Sequence, residues 1–306
     1  MEYLIVGPTI INDIYRNGIC IQKEQLGGAI YALQGALIWN TQVGYVSNVG
    51  DDFMEYYGNW MSKNQVLEKG QFKRLAHTQY TSLEYNEVEL HSETSIYGEA
   101  EEQFVEKNDI ITYEDILTCC TPNTKGIYLE ISEADDFWNH IAKFKRNTNI
   151  KIMWEVRTSS TQDVSKAKKV LELIKKVDYY SINLQEAYDL FKVENEDAVI
   201  KAIQFYGIPC YLRLGSKGSM VVLKDKYHFE KSLLFKEVID TTGCGNSSTA
   251  ASLIGFVENE DLRDIAKMGN ISAGYTLLQY GPYPDVVNVR KEARKILKSS
   301  KLSIHN

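Results

Sequence analysis

The stretch DTTGCGNSST at residues 240–249 places two closely spaced glycines before a segment of small and apolar residues. Gly243 and Gly245 let a backbone approach an anion closely, and the first amides of a helix have no partner within that helix. The helix dipole adds partial positive charge at the same end. The stretch therefore predicts a strand, a turn and a helix whose start binds an anionic group. Taken alone, it fits a purely structural turn equally well.

Short apolar runs alternate with longer segments of helical periodicity along most of the chain. This repetition is typical of a mostly parallel sheet that is covered by helices on both faces. We therefore predict an α/β fold, and in such folds ligands bind at the carboxyl ends of the strands. The predicted strands are 3–7, 41–50, 126–131, 150–156, 178–183, 208–215, 219–223 and 235–240, and the predicted helices include 27–39, 133–146, 165–176, 196–207, 246–259 and 267–281.

Residues 76–98 break this rhythm, because they alternate in polarity and are rich in Thr, Tyr and Glu without a following helix. Together with residues 17–24 they predict a small antiparallel β lid outside the main sheet. The predicted organisation is a single domain over 1–306, with lid segments inserted at approximately 12–24 and 76–98. The lid covers a site at the carboxyl ends of the strands. A surface hairpin without a binding role is the alternative interpretation.

Composition narrows the classes of function. The chain has 34 Lys and Arg against 41 Asp and Glu, a net charge of −7, and no dense basic run, so we do not expect a nucleic-acid partner. Its apolar runs are shorter than a membrane span, so we expect no membrane partner either. The five cysteines form no CxxC pair, which favours a reduced, cytoplasmic protein without a disulfide framework or a cysteine metal site.

Six motifs follow one another in an order that resembles the ribokinase-like carbohydrate kinases, the PfkB family. The resemblance runs from residue 3 to about residue 290. It implies a ribokinase-like three-layer fold with a small β lid, and an ATP-dependent phosphotransferase acting on a hydroxymethyl group of a sugar or nucleoside-like substrate. The motifs are GPTIIND (7–13), QLGGAIYALQGAL (25–37), QVGYVSNVGDDF (42–53), NLQE (183–186), LGSKGSMVV (214–222) and DTTGCGN (240–246).

The resemblance implies roles for residues on the nucleotide side. The expected cofactors are ATP and Mg²⁺, with K⁺ in members that a monovalent cation activates. The sequence has no Walker A motif, so this is not a P-loop protein. The implied nucleotide contacts are an anion hole of Gly243, Cys244, Gly245 and the amide of Asn246, a phosphate loop of Gly215, Lys217 and Gly218, and an adenine pocket that includes Asn270 and Gly274. The implied magnesium motif is Asn183 and Glu186, with Glu186 acting through water. The implied positions for a monovalent cation are Asp240 and Thr242.

Two of these positions have a plainer interpretation. Asn183 is a good helix N-cap residue, so the NxxE motif also fits a helix start with no role in metal binding. Lys217 equally fits an exposed loop lysine.

On the substrate side the chain departs further from the family. Asn12 falls where the family usually has an Asp that binds sugar hydroxyls, and Asp13 follows it. Gly27 and Gly28 match the family's substrate-binding glycine pair. The family's DPNxR segment is missing, and Glu155 and Arg157 are partial echoes of it. The sequence therefore does not identify the substrate. Dimerisation through the lid is implied by the resemblance.

Asn246 occupies the position of the Asp that takes the proton from the substrate hydroxyl in the family. An amide has no useful basicity near neutral pH, so the loss of a general base should slow transfer by about 10²–10⁴-fold. Three interpretations follow. Another carboxylate, such as Asp13 or Glu155, replaces the base; or the chain is a catalytically impaired protein that binds nucleotide or sugar as a sensor or interaction module; or the Asn arose in the coding sequence.

Overall fold

The structure is a computed structural model that describes residues 1–85, 91–233 and 235–299. In chain order, the strands of this described part are β1 (Tyr3–Val6), β2 (Thr9–Arg16), β3 (Ile19–Gly28), β4 (Val43–Val49), β5 (Gln71–Lys73), β6 (Gln79–Tyr85), β7 (His91–Ser95), β8 (Gly126–Leu129), β9 (Lys151–Glu155), β10 (Tyr179–Asn183), β11 (Cys210–Arg213), β12 (Gly218–Val222) and β13 (Tyr227–Lys231).

Helices connect most of these strands. They are α1 (Ile30–Leu37), α2 (Phe53–Lys63), α3 (Glu99–Asn108), α4 (Tyr113–Cys119), α5 (Phe137–Asn147), α6 (Thr158–Gln162), α7 (Val164–Ile174), α8 (Leu184–Phe191), α9 (Glu196–Tyr206), α10 (Cys244–Val257), α11 (Leu262–Thr276) and α12 (Val286–Ser299). No helix within the described ranges has both the length and the apolar character needed to cross a membrane.

The main sheet has the strand order β13-β12-β11-β10-β9-β8-β1-β4-β5. Every pair from β11 to β5 is parallel, while β12 and β13 are antiparallel to their neighbours. Alternation along β1 sends Tyr3 and Ile5 into a hydrophobic cluster with α1, α10 and α11. Leu4 and Val6 enter a second cluster with α5, α7 and α9 on the opposite face. The predicted three-layer α/β fold is confirmed.

A smaller sheet has the order β3-β2-β6-β7. It consists of two antiparallel pairs, β2 with β3 and β6 with β7, joined by parallel pairing of β2 with β6. Its face that carries Ile14, Leu83 and Tyr85 packs against Tyr280, and the Tyr85 hydroxyl is hydrogen-bonded to the Thr242 hydroxyl. The small sheet thus contacts the turn at 240–246. Both predicted lid segments fall on this sheet, although residues 86–90 lie outside the described residues.

The strand predicted at 235–240 is wrong. Residues 235–240 have no regular structure, and the Ile239 amide donates a hydrogen bond to the Leu277 carbonyl at 2.8 Å. The apolar side chains of Val238 and Ile239 lie at the surface beside two cavities instead of in a sheet. The antiparallel strand β13 takes the place beside β12, and its mixed polar sequence gave no strong strand signal.

Candidate active site

The turn at 240–243 delivers the chain to α10 through Gly243, which has φ +75°. Left-handed backbone of this kind favours glycine. A Cβ on Gly243 would also lie 2.0 Å from the Tyr31 ring, which packs directly against the turn. Both the conformation and the close approach of α1 therefore require glycine at this position.

Replacing Gly243 with alanine should lower the free energy of unfolding by about 3 kcal/mol, because left-handed strain of about 1–2 kcal/mol adds to the clash with Tyr31. Gly18 is a matched control, since it has φ +74° and nothing within 4 Å of an added Cβ. We expect Gly18→Ala to cost only about 1 kcal/mol. Urea denaturation of both variants measures the difference, and equal losses would show that Tyr31 does not restrict the turn.

The first turn of α10 offers two amides to an anion. The Cys244 amide donates to the Thr241 carbonyl at 3.3 Å, and the Ser247 amide donates to the Gly243 carbonyl at 2.9 Å. Within the described ranges, this leaves the amides of Gly245 and Asn246 at the helix start without an acceptor. These are two of the amides that the sequence analysis assigned to the anion hole.

A cavity of about 290 Å³ opens beside this helix start. Six of the residues expected on the nucleotide side line it, namely Gly215, Gly218, Cys244, Gly245, Asn270 and Gly274. Burial raises the pKa of the Cys244 thiol to about 12, so this side chain is an uncharged part of the wall. The cavity wall also includes Ser216, Ser219, Ser232, Leu233, Val238, Ala273 and Leu277.

Asn270 and Lys217 have different surroundings from those expected. The Asn270 amide donates to the carbonyls of Glu230 and Lys231, so it holds β13 against α11 as well as lining the cavity. Lys217 is exposed and its ammonium lies 3.3 Å from Glu196 on α9. It does not line the cavity, which favours the interpretation of an exposed loop lysine.

The NxxE motif forms a capping box at the start of α8. The Asn183 side chain accepts from the Glu186 amide at 2.8 Å, and the Glu186 carboxylate accepts from the Asn183 amide at 2.6 Å. Asn183 is therefore a helix cap, as its residue type allowed. Glu186 is buried and has two more partners, the Thr158 hydroxyl at 2.8 Å and the Arg213 guanidinium at 3.1 Å.

Arg213 is a site residue that the sequence analysis missed. It ends β11 and its guanidinium pairs with Glu155 at 3.0 Å and with Glu186 at 3.1 Å. Burial works against the charged form, but these two carboxylates outweigh it, so the pKa of Arg213 is raised. A Cβ on Gly245 would lie 2.2 Å from Arg213 Nη1, which places this cation directly against the start of α10.

The Asn246 side chain points into a group of acidic and phenolic side chains. Its Nδ2 donates to Glu130 Oε2 at 3.0 Å and to the Tyr128 hydroxyl at 3.1 Å. That hydroxyl lies 2.6 Å from Glu155 Oε2 and 3.3 Å from Glu130 Oε2, so its single proton is donated to Glu155. Glu130 was not identified as a site residue from the sequence, although it lies within the predicted strand 126–131; in the structure it directly follows β8.

Burial is the main cause of the raised pKa values in this group. It raises the pKa of Glu130 to about 7, and the negative charge of Glu155 adds to the effect, while Arg157, Tyr128 and Asn246 oppose it. Burial also raises the pKa of Glu155, against the opposing charge of Arg213. Strongly shifted acids at the carboxyl edge of a sheet are typical of catalytic sites.

The chain matches the model of the pfkB family of carbohydrate kinases over residues 27–288. It belongs to this family. Ribokinase from Lactococcus lactis subsp. lactis is 28% identical to it over 142 residues, which are 46% of this chain and 43% of that protein. The chain spans less than half the length of the curated relatives that it matches, from 43% to 46%.

Solved kinase structures share the fold of this PfkB-family chain at low identity. A nucleoside kinase from Burkholderia thailandensis in complex with inosine superposes with a TM-score of 0.75 and 13% identity, over 98% of this chain and 97% of that one. A structure named as a ribokinase II from E. coli, in complex with ATP and Mg²⁺, gives a TM-score of 0.74 and 14% identity, over 96% of this chain and 99% of that one.

The expected substrate residues divide between the two faces of the small sheet. Asn12 pairs in register with Thr81 and accepts from its hydroxyl at 2.7 Å, on the face that carries Tyr85 and contacts the turn. Gly27 lies against the Asn12 amide, and Gly28 follows it at the end of β3. Asn12 therefore lies on the face of the small sheet that contacts the turn, with Gly27 beside it.

Asp13 lies on the opposite face of β2, because side chains alternate along a strand. Its Oδ1 accepts from the Tyr80 hydroxyl at 2.8 Å and from the Glu24 amide at 2.9 Å. The described residues show no contact between Asp13 and Asn246, so the structure does not favour Asp13 as the replacement base. Arg157 donates to the Glu130 carbonyl at 2.8 Å, and so lies at the substrate edge.

The surroundings of Glu186 fit a magnesium ion that is held through water. Glu186 Oε1 accepts one hydrogen bond, from Thr158, and so keeps a lone pair for a water molecule. The described residues contain no group of three or more His, Cys, Asp or Glu side chains that could bind a metal directly. Mg²⁺ usually retains several waters and binds substrate phosphates, and therefore needs no such group.

Asp240 has a free carboxylate oxygen beside the turn. Its Oδ1 accepts from the Thr242 amide at 3.0 Å and from the Thr242 hydroxyl at 2.7 Å. Its Oδ2 is buried and has no hydrogen-bond partner in the part of the chain that the structure describes. A buried carboxylate oxygen is costly unless a donor or a cation binds it. The position thus fits a monovalent cation, which stays a prediction.

Proposed function

We propose that this chain transfers the γ-phosphoryl group of ATP to a hydroxymethyl group of a sugar or nucleoside-like substrate. The observation that carries the proposal is the junction between the 290 Å³ cavity and the start of α10. The free amides of Gly245 and Asn246, the Arg213 cation and the carboxylate of Glu130 meet there. Phosphoryl transfer depends chiefly on such positioning and charge stabilisation.

In this proposal the nucleotide occupies the cavity and its phosphates lie on the start of α10. The two amides and the helix dipole stabilise the negative charge of the transferring group. Arg213 adds a positive charge that is fixed in place by its two carboxylate partners. The substrate hydroxyl lies beside the Asn246 side chain, with Asn12, Gly27, Gly28 and Arg157 toward the rest of the substrate.

Magnesium, held through water on Glu186 and by the nucleotide phosphates, would neutralise phosphate charge when bound. A monovalent cation such as K⁺ at Asp240 would stabilise the turn that carries the anion hole. These ions are assigned from the free lone pairs of Glu186 and Asp240 together with the family relationship.

The second candidate function is a catalytically impaired kinase fold that binds nucleotide or sugar as a sensor or interaction module. The presence of Asn246 favours it, because an amide cannot accept the substrate proton. This candidate keeps the nucleotide cavity and loses turnover. A nucleotide-dependent change in stability without ADP formation would identify it.

Nucleotide binding and ADP formation test the proposal together. We expect Mg·ATP to raise the melting temperature, since a ligand at 100 times its Kd stabilises a protein by about 2.7 kcal/mol. Ala273→Phe fills the cavity and should abolish that shift, whereas Ala273→Ser is the matched control and should retain it. ADP formation is then measured with a panel of sugars and nucleosides, in KCl and in NaCl.

The outcomes separate the two candidate functions. ADP formation that depends on an alcohol substrate supports the kinase, and a larger rate in KCl supports the cation site. A thermal shift without ADP formation supports the sensor. No shift of the unmodified chain with Mg·ATP, or with any sugar or nucleoside of the panel, would contradict both candidate functions.

We also propose a homodimer through the small sheet. Ile19 and Ile21 lie on β3, which is an edge strand of that sheet, with exposed fractions of 70% and 39%. Apolar side chains on an unpaired edge strand are typical of an interface. The mass of the protein in solution, measured by light scattering, distinguishes a dimer from a monomer.

A further inference from the structure

The carboxylate nearest to the Asn246 side chain belongs to Glu130. Its Oε2 holds the Asn246 amide at 3.0 Å and lies 3.3 Å from the Tyr128 hydroxyl. No residue of the described chain uses its second oxygen, Oε1, as a hydrogen-bond acceptor. Glu130 directly follows β8 and is half-buried, and its Oε1 is not among the fully buried polar atoms without a partner in the described residues. Oε1 is therefore accessible to a bound substrate.

We propose that Glu130 accepts the proton of the substrate hydroxyl in this chain, in place of a carboxylate at position 246. The inference rests on the proposed kinase function and assigns a catalytic residue to it. Asn246 Nδ2 donates to Glu130 and to Tyr128, and so holds the Glu130 carboxylate beside the start of α10. A substrate hydroxyl at this place can donate its single proton to Glu130 Oε1, directly or through one water molecule.

The proton and electron balance of the step is simple. The substrate oxygen forms a bond to the γ-phosphorus, and the bond from that phosphorus to the β,γ-bridging oxygen breaks. ADP leaves with the electron pair of the broken bond. The hydroxyl proton moves to Glu130 Oε1, which becomes a neutral carboxylic acid and later returns the proton to water.

Other carboxylates near the site are already engaged. Glu155 is 5% exposed, its Oε1 pairs with Arg213 at 3.0 Å and its Oε2 accepts from Tyr128 at 2.6 Å. Glu186 pairs with Arg213 and caps α8. Asp13 lies on the far face of β2. Glu130 therefore has the one carboxylate oxygen at this edge, among the described residues, that is both open and close to Asn246.

The charges around Glu130 suit a base that works near neutral pH. Burial and the neighbouring Glu155 raise its pKa to about 7, and a general base is most effective when its pKa lies near the working pH. The titratable and charged groups that face it are Glu155 on β9, Tyr128 on β8, Arg157 after β9 and Tyr45 on β4.

The test compares Glu130→Gln in two backgrounds, the unmodified chain and Asn246→Asp. In the unmodified chain we expect Glu130→Gln to lower kcat/KM by about 10²–10⁴-fold. In the Asn246→Asp background the new carboxylate supplies a base, so the same change should cost less than about 10-fold. The kcat/KM of the unmodified chain should also rise with pH through about 7.

If Glu130→Gln lowered kcat/KM equally in both backgrounds, the inference would be overturned, because Glu130 would then bind substrate or support the fold without accepting the proton. Activity confined to Asn246→Asp would also overturn it and would leave the kinase fold of the proposed function intact. No product from any variant, and no nucleotide-dependent shift, would contradict the proposed function itself.

Stability as a function of pH gives a readout that does not need turnover. Glu130 has a pKa of about 7 in the folded chain against an ordinary value of 4.5. Its protonated form therefore favours the folded state, and this contribution is lost as pH rises through about 7. Glu130→Gln should reduce the decrease in the free energy of unfolding with rising pH, whereas Glu172→Gln, an exposed control on α7, should leave that decrease unchanged. An unchanged slope in Glu130→Gln would contradict the raised pKa.

Discussion

Replacing Arg213 with methionine is expected to lower the free energy of unfolding by about 3–5 kcal/mol, because it leaves two buried carboxylates without their cation. Glu155 and Glu186 are 5% and 3% exposed, and both depend on the same guanidinium. The loss should shrink in acid, because burial raises the pKa of Glu155 and protonation of that side chain removes the repulsion.

Lys125 provides a matched control for Arg213, since it is also a cation between two carboxylates. Its ammonium lies 3.3 Å from Glu2 and 3.0 Å from Glu258, but its side chain is 43% exposed. Lys125→Met should cost less than about 1 kcal/mol. Urea denaturation at about pH 8 compares the two variants. If Arg213→Met lowered the free energy of unfolding no more than Lys125→Met does, burial would not be the reason that the ion pairs of Arg213 stabilise the fold.

Replacing Asn246 with aspartate should destabilise the unliganded protein by about 1–3 kcal/mol at about pH 8. The amide that donates to Glu130 at 3.0 Å would become a second carboxylate at the same place. Two carboxyl groups this close repel each other when both are charged and share a proton when one is protonated. The loss in the free energy of unfolding should therefore become smaller as pH is lowered below the raised pKa of Glu130.

The double variant Asn246→Asp with Glu130→Gln tests the origin of this loss. The glutamine can donate to the new carboxylate, so most of the stability should return. Denaturation of the single and double variants at about pH 8 and about pH 5.5 gives the four values that are needed. A single variant more stable than the unmodified chain at about pH 8 would contradict the arrangement of Asn246 and Glu130.

The fold could be predicted from the sequence because its signals are local. The buried strands β1 and β8 are short continuous apolar runs, β9 and β10 are mostly apolar, and the helices between them have clear periodicity. The turn at 240–246 was also predicted, since its glycines and the small residues after them are adjacent in the chain.

The site chemistry depends on contacts between distant residues, and no local pattern encodes them. Asn246 and Glu130 are 116 positions apart, and Arg213 and Glu155 are 58 apart. One signal was available, because a charged Arg213 at the end of an apolar strand needs a partner once it is buried. The partner itself follows only from the order of the strands in the sheet.

Two further differences between prediction and structure concern side chains at the surface. The apolar residues Val238 and Ile239 resemble a strand in sequence but lie beside cavities, where a ligand rather than a sheet would cover them. Lys217 was expected at the phosphates, yet it ends a short 3₁₀ helix with its side chain exposed and its ammonium beside Glu196. Neither the direction of a loop side chain nor the presence of a cavity follows from residue type.

The most direct test of the central claim is mass spectrometry of the acceptor after incubation of the unmodified chain with Mg·ATP and the substrate panel. We expect an alcohol that gains one phosphoryl group, with Asn246 intact in the recovered protein and with Glu130→Gln unable to form the product. A phosphorylated product from Asn246→Asp alone would contradict the account, since it would show that no residue of this chain replaces the missing carboxylate.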